Sequence, residues 1–374
     1  MKNNYKTNIA IIGGGIIGLF IAEEFLKQGV NDITILEKNP KILRETSSHN
    51  SGLIHGGFDA TPGTMKAKFN VEGRHIFEKE YLKPGAPFDF AKVNSIILAF
   101  NNDDVNELDK LYDQGIKNGL NPEEMKIISK EEVLKLEPLV NPDVLKAFIC
   151  NSSTVLDPVG LGNYLFETNT KNGLKTILNF KVSKITNEKE SILLEAENGD
   201  EIEANFVLNV SGIWAENVAK LVEEEPDFKI QTRRGQYRFL DATQAAKLQG
   251  NVYFLTPSKH GKGVIVAKLF NGQVMVGPTA EDGVPLDDAQ LVTPRALKHV
   301  KKIGLKIIPT LNMDRTEQTW AGCRSINTVT RDYHIEMSNT MPHFMHVAGM
   351  QSPALSGGPA IAKYVYKKYL TNMS

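Results

Sequence analysis

The chain has 374 residues, more than one small hydrophobic core usually organises, so two domains are expected. Its 43 Lys and Arg against 44 Asp and Glu leave a formal net charge of −1, which gives no bulk attraction for nucleic acid or an anionic membrane. The two cysteines, Cys150 and Cys323, lie far apart; they form no disulfide framework and no metal-ligand spacing, fit a reducing cytoplasm, and read as small buried hydrophobes.

Met1 to Thr7 is short and polar and is no signal peptide. No window approaches the ~20 apolar residues needed to cross a bilayer, so any membrane contact would be peripheral. Ile9 to Ile12 reads as a buried parallel strand. A helix follows on Ile17, Ile21 and Phe25, stopped at Gly29, and Ile33 to Glu37 reads as a second strand. This βαβ unit begins almost at the first residue.

Val93 to Phe100 reads as a strand and Asp103 to Lys117 as a helix. Ser129 and Glu132 form a capping box for a short helix ended by Pro138. Asp157-Pro158 opens another helix, to about Thr170. Strands are expected over 174–186, 191–197 and 206–210, the second turning at Asn198-Gly199. A helix then runs through Leu221. Strands near 230–240, 252–257, 262–269 and 273–277, with a turn at Asn271-Gly272, suggest an antiparallel sheet. Ala296 to Ile307 is helical; strands near 333–337 and 344–348 lead to a glycine-containing loop and a last helix, Ala360 to Tyr369.

Gly13-Gly14-Gly15-Ile16-Ile17-Gly18 contains G-x-G-x-x-G between a strand and a helix, and Glu37 ends the next strand. Gly13 suits the tight turn, Gly15 a close approach to pyrophosphate, and Gly18 close helix–strand packing. The helix start offers free N–H groups and a positive dipole end. Glu37 suits ribose hydroxyls and would repel a 2′-phosphate, which argues against NADP. The segment 46–57 is small, polar and glycine-rich, as if built to run beside a ligand. Gly349-Met350-Gln351-Ser352-Pro353, before the last helix, has the form of an anion-binding loop.

With these features, the chain resembles the D-amino-acid-oxidase/glycerol-3-phosphate-dehydrogenase superfamily of FAD enzymes over nearly its whole length. Asn50-Ser51-Gly52-Leu53-Ile54-His55 resembles a subgroup of glycerol-3-phosphate oxidases and L-2-hydroxyglutarate oxidases. Thr232 to Tyr237, His260 to Val266 and Met350 to Pro353 resemble the former more closely, and Ala321 to Arg324 the subgroup as a whole. The implied fold is α/β: a Rossmann-like FAD-binding domain of glutathione-reductase type, interleaved with a substrate domain on an antiparallel β-sheet. We assign 1–82, 150–222 and 330–374 to the former and 83–149 and 223–329 to the latter.

The resemblance implies oxidation of sn-glycerol 3-phosphate to dihydroxyacetone phosphate, hydride passing from C2 to flavin N5 and O2 becoming H2O2. L-2-hydroxyglutarate oxidation and non-catalytic FAD binding are the alternatives. His55 matches the catalytic histidine, a suitable base because its ordinary pKa is about 6.5. Ser51, Lys262, Arg324 and Ser352 match substrate contacts. Ile17, Gly18, Glu37, Thr46, Ser47, Ser51, Gly52, Leu53, Val182, Met350 and Gln351 match contacts to non-covalent FAD, and Gly13, Gly15 and Gly349 join them from the motif and the loop. Gln351, Ala354 and Ser356 depart from the family's usual Lys, Gly and Thr. Of the adjacent Arg233 and Arg234, at most one faces a site. His49, His260 and His346 are expected to be structural.

Overall fold

The computed structural model describes residues 3–256 and 263–373. The chain forms two compact units: Met1–Ser48, Pro158–Thr232 and Arg324–Ser374, and His49–Asp157 with Arg233–Cys323.

The first unit is built on an eight-stranded sheet. Its centre is parallel, in the order Phe344–Ala348, Glu201–Asn209, Asn4–Ile12, Ile33–Glu37, Lys175–Leu178. These strands are short and mostly apolar because both faces are covered. His334–Met337 adds an antiparallel edge, and the hairpin of Val182–Asn187 and Ile192–Ala196 pairs with the start of Glu201–Asn209. The strand expected over 174–186 is two strands. Asn179, at φ 57°, turns the chain from the parallel sheet into the hairpin.

The helix Ile16–Lys27 packs against Pro158–Lys171 and Ala354–Met373. Asn169 donates from the former to the Leu19 carbonyl at 2.9 Å. The last helix starts at Ala354, six residues earlier than expected. Gly357, Gly358 and Pro359 therefore lie inside it, not in a loop. Gly358 is accommodated because any Cβ there would lie 2.5 Å from the Phe20 ring, so the absent side chain permits the contact.

The second unit carries a ten-stranded sheet in the order Glu281–Asp282, Ile230–Leu240, Val274–Gly277, Ile265–Lys268, Val252–Leu255, Phe90–Ala99, Lys146–Leu156, Leu53–Ile54. Met125–Ser129 pairs with Lys146–Leu156, and Thr316–Asn327 with Ile230–Leu240. Glu281–Asp282, Ile230–Leu240, Val274–Gly277, Ile265–Lys268 and Val252–Leu255 pair antiparallel in turn, as do Phe90–Ala99 with Lys146–Leu156 and Lys146–Leu156 with Leu53–Ile54 and Met125–Ser129, whereas Val252–Leu255 runs parallel to Phe90–Ala99. Along Phe90–Ala99, Ile96 and Leu98 enter one core and Ile97 and Ala99 the other, so the sheet is buried on both faces. Helices Lys130–Leu136 and Pro294–Ile307 contribute to the first core, and Asn102–Lys117 to the second.

Residues 49–82, assigned above with the first domain, pack in the second unit. The reason is pairing: Leu53 and Ile54 oppose Val155 and Thr154. The helix Met65–Ile76 gave no sequence signal because its buried face includes Asn70 and Arg74, which blur the apolar stripe. Both cysteines are buried, and burial pushes the Cys150 thiol up.

Candidate active site

In the first unit the chain leaves Asn4–Ile12 at Gly13, φ 117°, whose N–H donates to the Leu36 carbonyl at 2.9 Å. A Cβ at Gly13 would lie 2.6 Å from the Val210 carbonyl oxygen, and one at Gly18 would lie 2.4 Å from that of Gly13. Both contacts are to backbone, so no side-chain rotation relieves them. Gly15 precedes the first helical residue. The Ser47 hydroxyl accepts from Ile16 N there at 2.9 Å, and the Leu43 N–H donates to the Gly14 carbonyl at 3.0 Å. The segment after the second strand thus folds back over the glycine turn. This brings Ser47 and its half-buried neighbour Thr46 to the helix start, where Ile17 is buried.

Glu37 is 7% exposed. Its Oε2 accepts from Gly14 N at 2.8 Å, and its Oε1 accepts from Asn39 N and Nδ2, each at 2.8 Å. About four acceptor positions exist on a carboxylate, so one remains for a ribose hydroxyl. Phe180 N donates to the Glu37 carbonyl at 2.9 Å, and two residues on Val182 opens its strand. This steric cradle, a helix start and a fixed carboxylate fit the pyrophosphate and ribose of a dinucleotide.

The second glycine loop lies in the same unit. Gly349 has φ 71°, and a Cβ there would be 2.9 Å from Asn327 Cβ. The Gln351 carbonyl accepts from Tyr333 Oη at 3.2 Å and from Ala354 N at 2.8 Å. The Gln351 side chain donates to the Arg331 carbonyl at 3.1 Å, so its amide is occupied within the loop's own scaffold. Met350 is half-buried and Ser352 exposed. Ala354 and Ser356, the two other departures from the family pattern, are in the first turn of the helix and buried there.

Arg324 sits on Thr316–Asn327, half-buried, with no hydrogen bond or ion pair among the described residues. By contrast Arg233 is held by Asp282 at 2.5 and 2.9 Å, and Arg234 by Glu281 at 2.8 Å. Their carboxylates come from the adjoining strand Glu281–Asp282, so each arginine is already neutralised.

The second unit holds Ser51, Gly52, Leu53 and His55 on one stretch. Asn50 Oδ1 accepts from Gly52 N at 2.8 Å and makes the turn in which Gly52 has φ 60°. Leu53–Ile54 then pairs into the sheet and delivers His55, 7% exposed. A Cβ at Gly322 would lie 2.1 Å from the His49 carbonyl oxygen, so glycine there lets this stretch pass close to Thr316–Asn327. Lys262 and His260 lie outside the described residues. His346 is buried between Glu223, at 3.3 Å, and Asn209, at 3.2 Å. The sequence did not single out Tyr333 or Asn70; Asn50 entered only as the first residue of the stretch that ends at His55, with no role assigned to it, although its place two residues before a glycine is a readable turn signal.

A family profile described as FAD dependent oxidoreductase matches residues 8–367. The glycerol 3-phosphate oxidase of Mycoplasma genitalium is 32% identical over 359 residues, 95% of this chain and 92% of that one. That of Mycoplasma pneumoniae is 34% identical over 360 residues, again 95% and 92%. The solved structure of reduced L-alpha-glycerophosphate oxidase from Mycoplasma pneumoniae, with FAD bound, is similar at a TM-score of 0.91 and 33% identity, covering 97% of this chain and 94% of that one. A profile that spans the glycine turn, the His55 stretch and the loop before the last helix places the chain in the FAD dependent oxidoreductase family.

Proposed function

We propose that this chain oxidises sn-glycerol 3-phosphate to dihydroxyacetone phosphate in the cytoplasm, passing the electrons to O2 to give H2O2. The observation that carries the reading is Arg324, a half-buried cation without a counter-charge among the described residues, in a chain similar over 95% of its length to oxidases of a phosphate monoester. A guanidinium binds such a dianion through two parallel donors, and Lys262 adds a point charge. Ser51 and Ser352 contribute neutral donors. For the cofactor we assign Gly13, Gly15, Ile17, Gly18, Glu37, Thr46, Ser47, Ser51, Gly52, Leu53, Val182, Gly349, Met350 and Gln351, and for the base His55.

Bound FAD supplies the two-electron acceptor for the hydrogen on C2. His55 accepts the proton of the C2 hydroxyl. Without that proton the oxygen lone pair feeds the C2–H bond, and the ketone forms as both hydrogens leave. The stretch that carries His55 is anchored to the sheet on its N-terminal side by Leu53–Ile54, which limits the movement of the imidazole.

Anaerobic mixing of the holoprotein with glycerol 3-phosphate is expected to bleach the flavin, and readmitted air to restore it with one H2O2 per flavin. No bleaching at millimolar substrate would refute the reading. Bleaching by L-2-hydroxyglutarate alone would move the substrate to a hydroxy acid.

A further inference from the structure

We infer that Asn70, together with Gln114 and Asn118, positions His55 by clamping the carbonyls of the loop that follows it. The inference rests on the reading of His55 as the base. Residues 55–60 belong to no helix or strand, so no sheet ladder orients their peptides. Side-chain amides do so instead. Asn70 Nδ2 donates to the His55 carbonyl at 3.3 Å, and Gln114 Nε2 to that of Phe58 at 3.0 Å. Asn118 Nδ2 donates to the carbonyls of Gly57 at 2.9 Å and Ala60 at 2.8 Å. Asn70 comes from Met65–Ile76, and the other two from the end of Asn102–Lys117.

The Asn70 contact fixes the peptide on the C-terminal side of the His55 α-carbon. That peptide and the paired strand before it together fix the Cα–Cβ direction from which the His55 imidazole projects. Steric limits act in the same sense. A Cβ at Gly56 would lie 2.5 Å from Cys150 Sγ, and one at Gly57 would lie 2.7 Å from Val71 Cγ2 and 3.0 Å from Asn70 Nδ2. The loop is therefore confined between the strand Lys146–Leu156 and the helix Met65–Ile76.

Stability is a poor explanation for these amides. Asn70 is 1% exposed, and its Oδ1 has no partner among the described residues; neither has Asn118 Oδ1. A buried acceptor left unpaired costs at least as much as one amide–carbonyl bond returns. A leucine at 70 would fill similar volume without that cost. What asparagine supplies, and leucine cannot, is direction to the His55 carbonyl.

The test is rapid anaerobic mixing of holoprotein with glycerol 3-phosphate, comparing wild type with Asn70→Leu, Asn118→Leu and His55→Ala. Displacement of a catalytic group by about 1 Å costs roughly 10²-fold, so both leucine variants are expected to reduce their flavin at least ~10-fold more slowly at saturation. Half-saturating substrate and FAD content should stay within about twofold of wild type, and the pH profile of reduction should shift. Reduction at the wild-type rate would overturn the inference. So would a slowing matched by lost FAD or by a raised half-saturation point. If Asn70→Leu does not fold, the same readings on Asn118→Leu decide. A slow His55→Ala beside fast leucine variants sinks only the positioning role; a fast His55→Ala sinks the base reading itself.

Discussion

Arg324 separates a ligand-binding charge from a structural one. It makes no ion pair among the described residues, so Arg324→Leu removes no partner among them and should leave the unfolding free energy near wild type. Hydrogen bonds to charged groups contribute about 1.5–3 kcal/mol, so KM for glycerol 3-phosphate should rise roughly 10- to 150-fold for each bond lost. Arg324→Lys keeps the charge but not the two-pronged geometry and should fall between. Lower stability with unchanged KM would instead make Arg324 structural. This site was only partly legible in the sequence, for reasons that differ by residue. Gly13 and Gly18 were readable because backbone sterics alone demand them. His55 and Arg324 were readable only by resemblance, since many histidines and arginines serve unremarkable ends. Asn70 was not readable: its effect on His55 exists only once a helix lies beside a loop 15 residues earlier in the chain.

The glycine turn and the last helix show how one missing side chain can serve two ends. At Gly18 an added methyl meets the Gly13 carbonyl at 2.4 Å, and main chain cannot rotate away. Gly18→Ala must lift the helix Ile16–Lys27 off its strand and disturb the N–H groups at the helix start. Purified Gly18→Ala should carry little FAD. At Gly358 the methyl meets the Phe20 ring at 2.5 Å, a side chain in the core between two helices. Gly358→Ala should cost about 1–3 kcal/mol by overpacking but keep its flavin. Equal FAD content in the two variants would refute this distinction. The same elements show where pattern reading stops. Capping at Ser129 and the stop at Gly29 are local chemistry and were visible in the residues. The break at Asn179, the early start at Ala354 and the helix Met65–Ile76 are not local. Each depends on which neighbour the chain meets: a hairpin, the ring of Phe20, or a polar loop.

At the scale of the whole chain, two discontinuous units mean that boundaries follow packing and not sequence order. Alternating parallel and antiparallel segments were visible in the residues, but the placement of 49–82 required the pairing of Leu53–Ile54 with Thr154 and Val155. The first unit also contains a pair of histidines, His346 buried and His334 half-buried, that makes its stability depend on pH. His346 is 1% exposed; burial lowers its pKa, against the pull of Glu223 and Asp227 and with a further push from His334. Asn209 Nδ2 can only donate, so His346 Nδ1 accepts, and Nε2–H faces Glu223. Burial lowers the His334 pKa as well, with Glu336, Asp227 and Glu223 opposing and Lys368 adding to the shift. Both groups are neutral in the folded unit at a pH where the unfolded chain already binds protons. Stability is therefore full above the unfolded histidine pKa of about 6.5 and declines as pH falls from there toward the lowered folded values. The slope is at most about 1.4 kcal/mol per pH unit for each histidine. Urea midpoints measured at pH 7.5 and 5.5 should fall for wild type and fall less for His346→Asn, which removes one of the two proton sites. An equal fall in both proteins would show that His346 carries no part of the acid sensitivity.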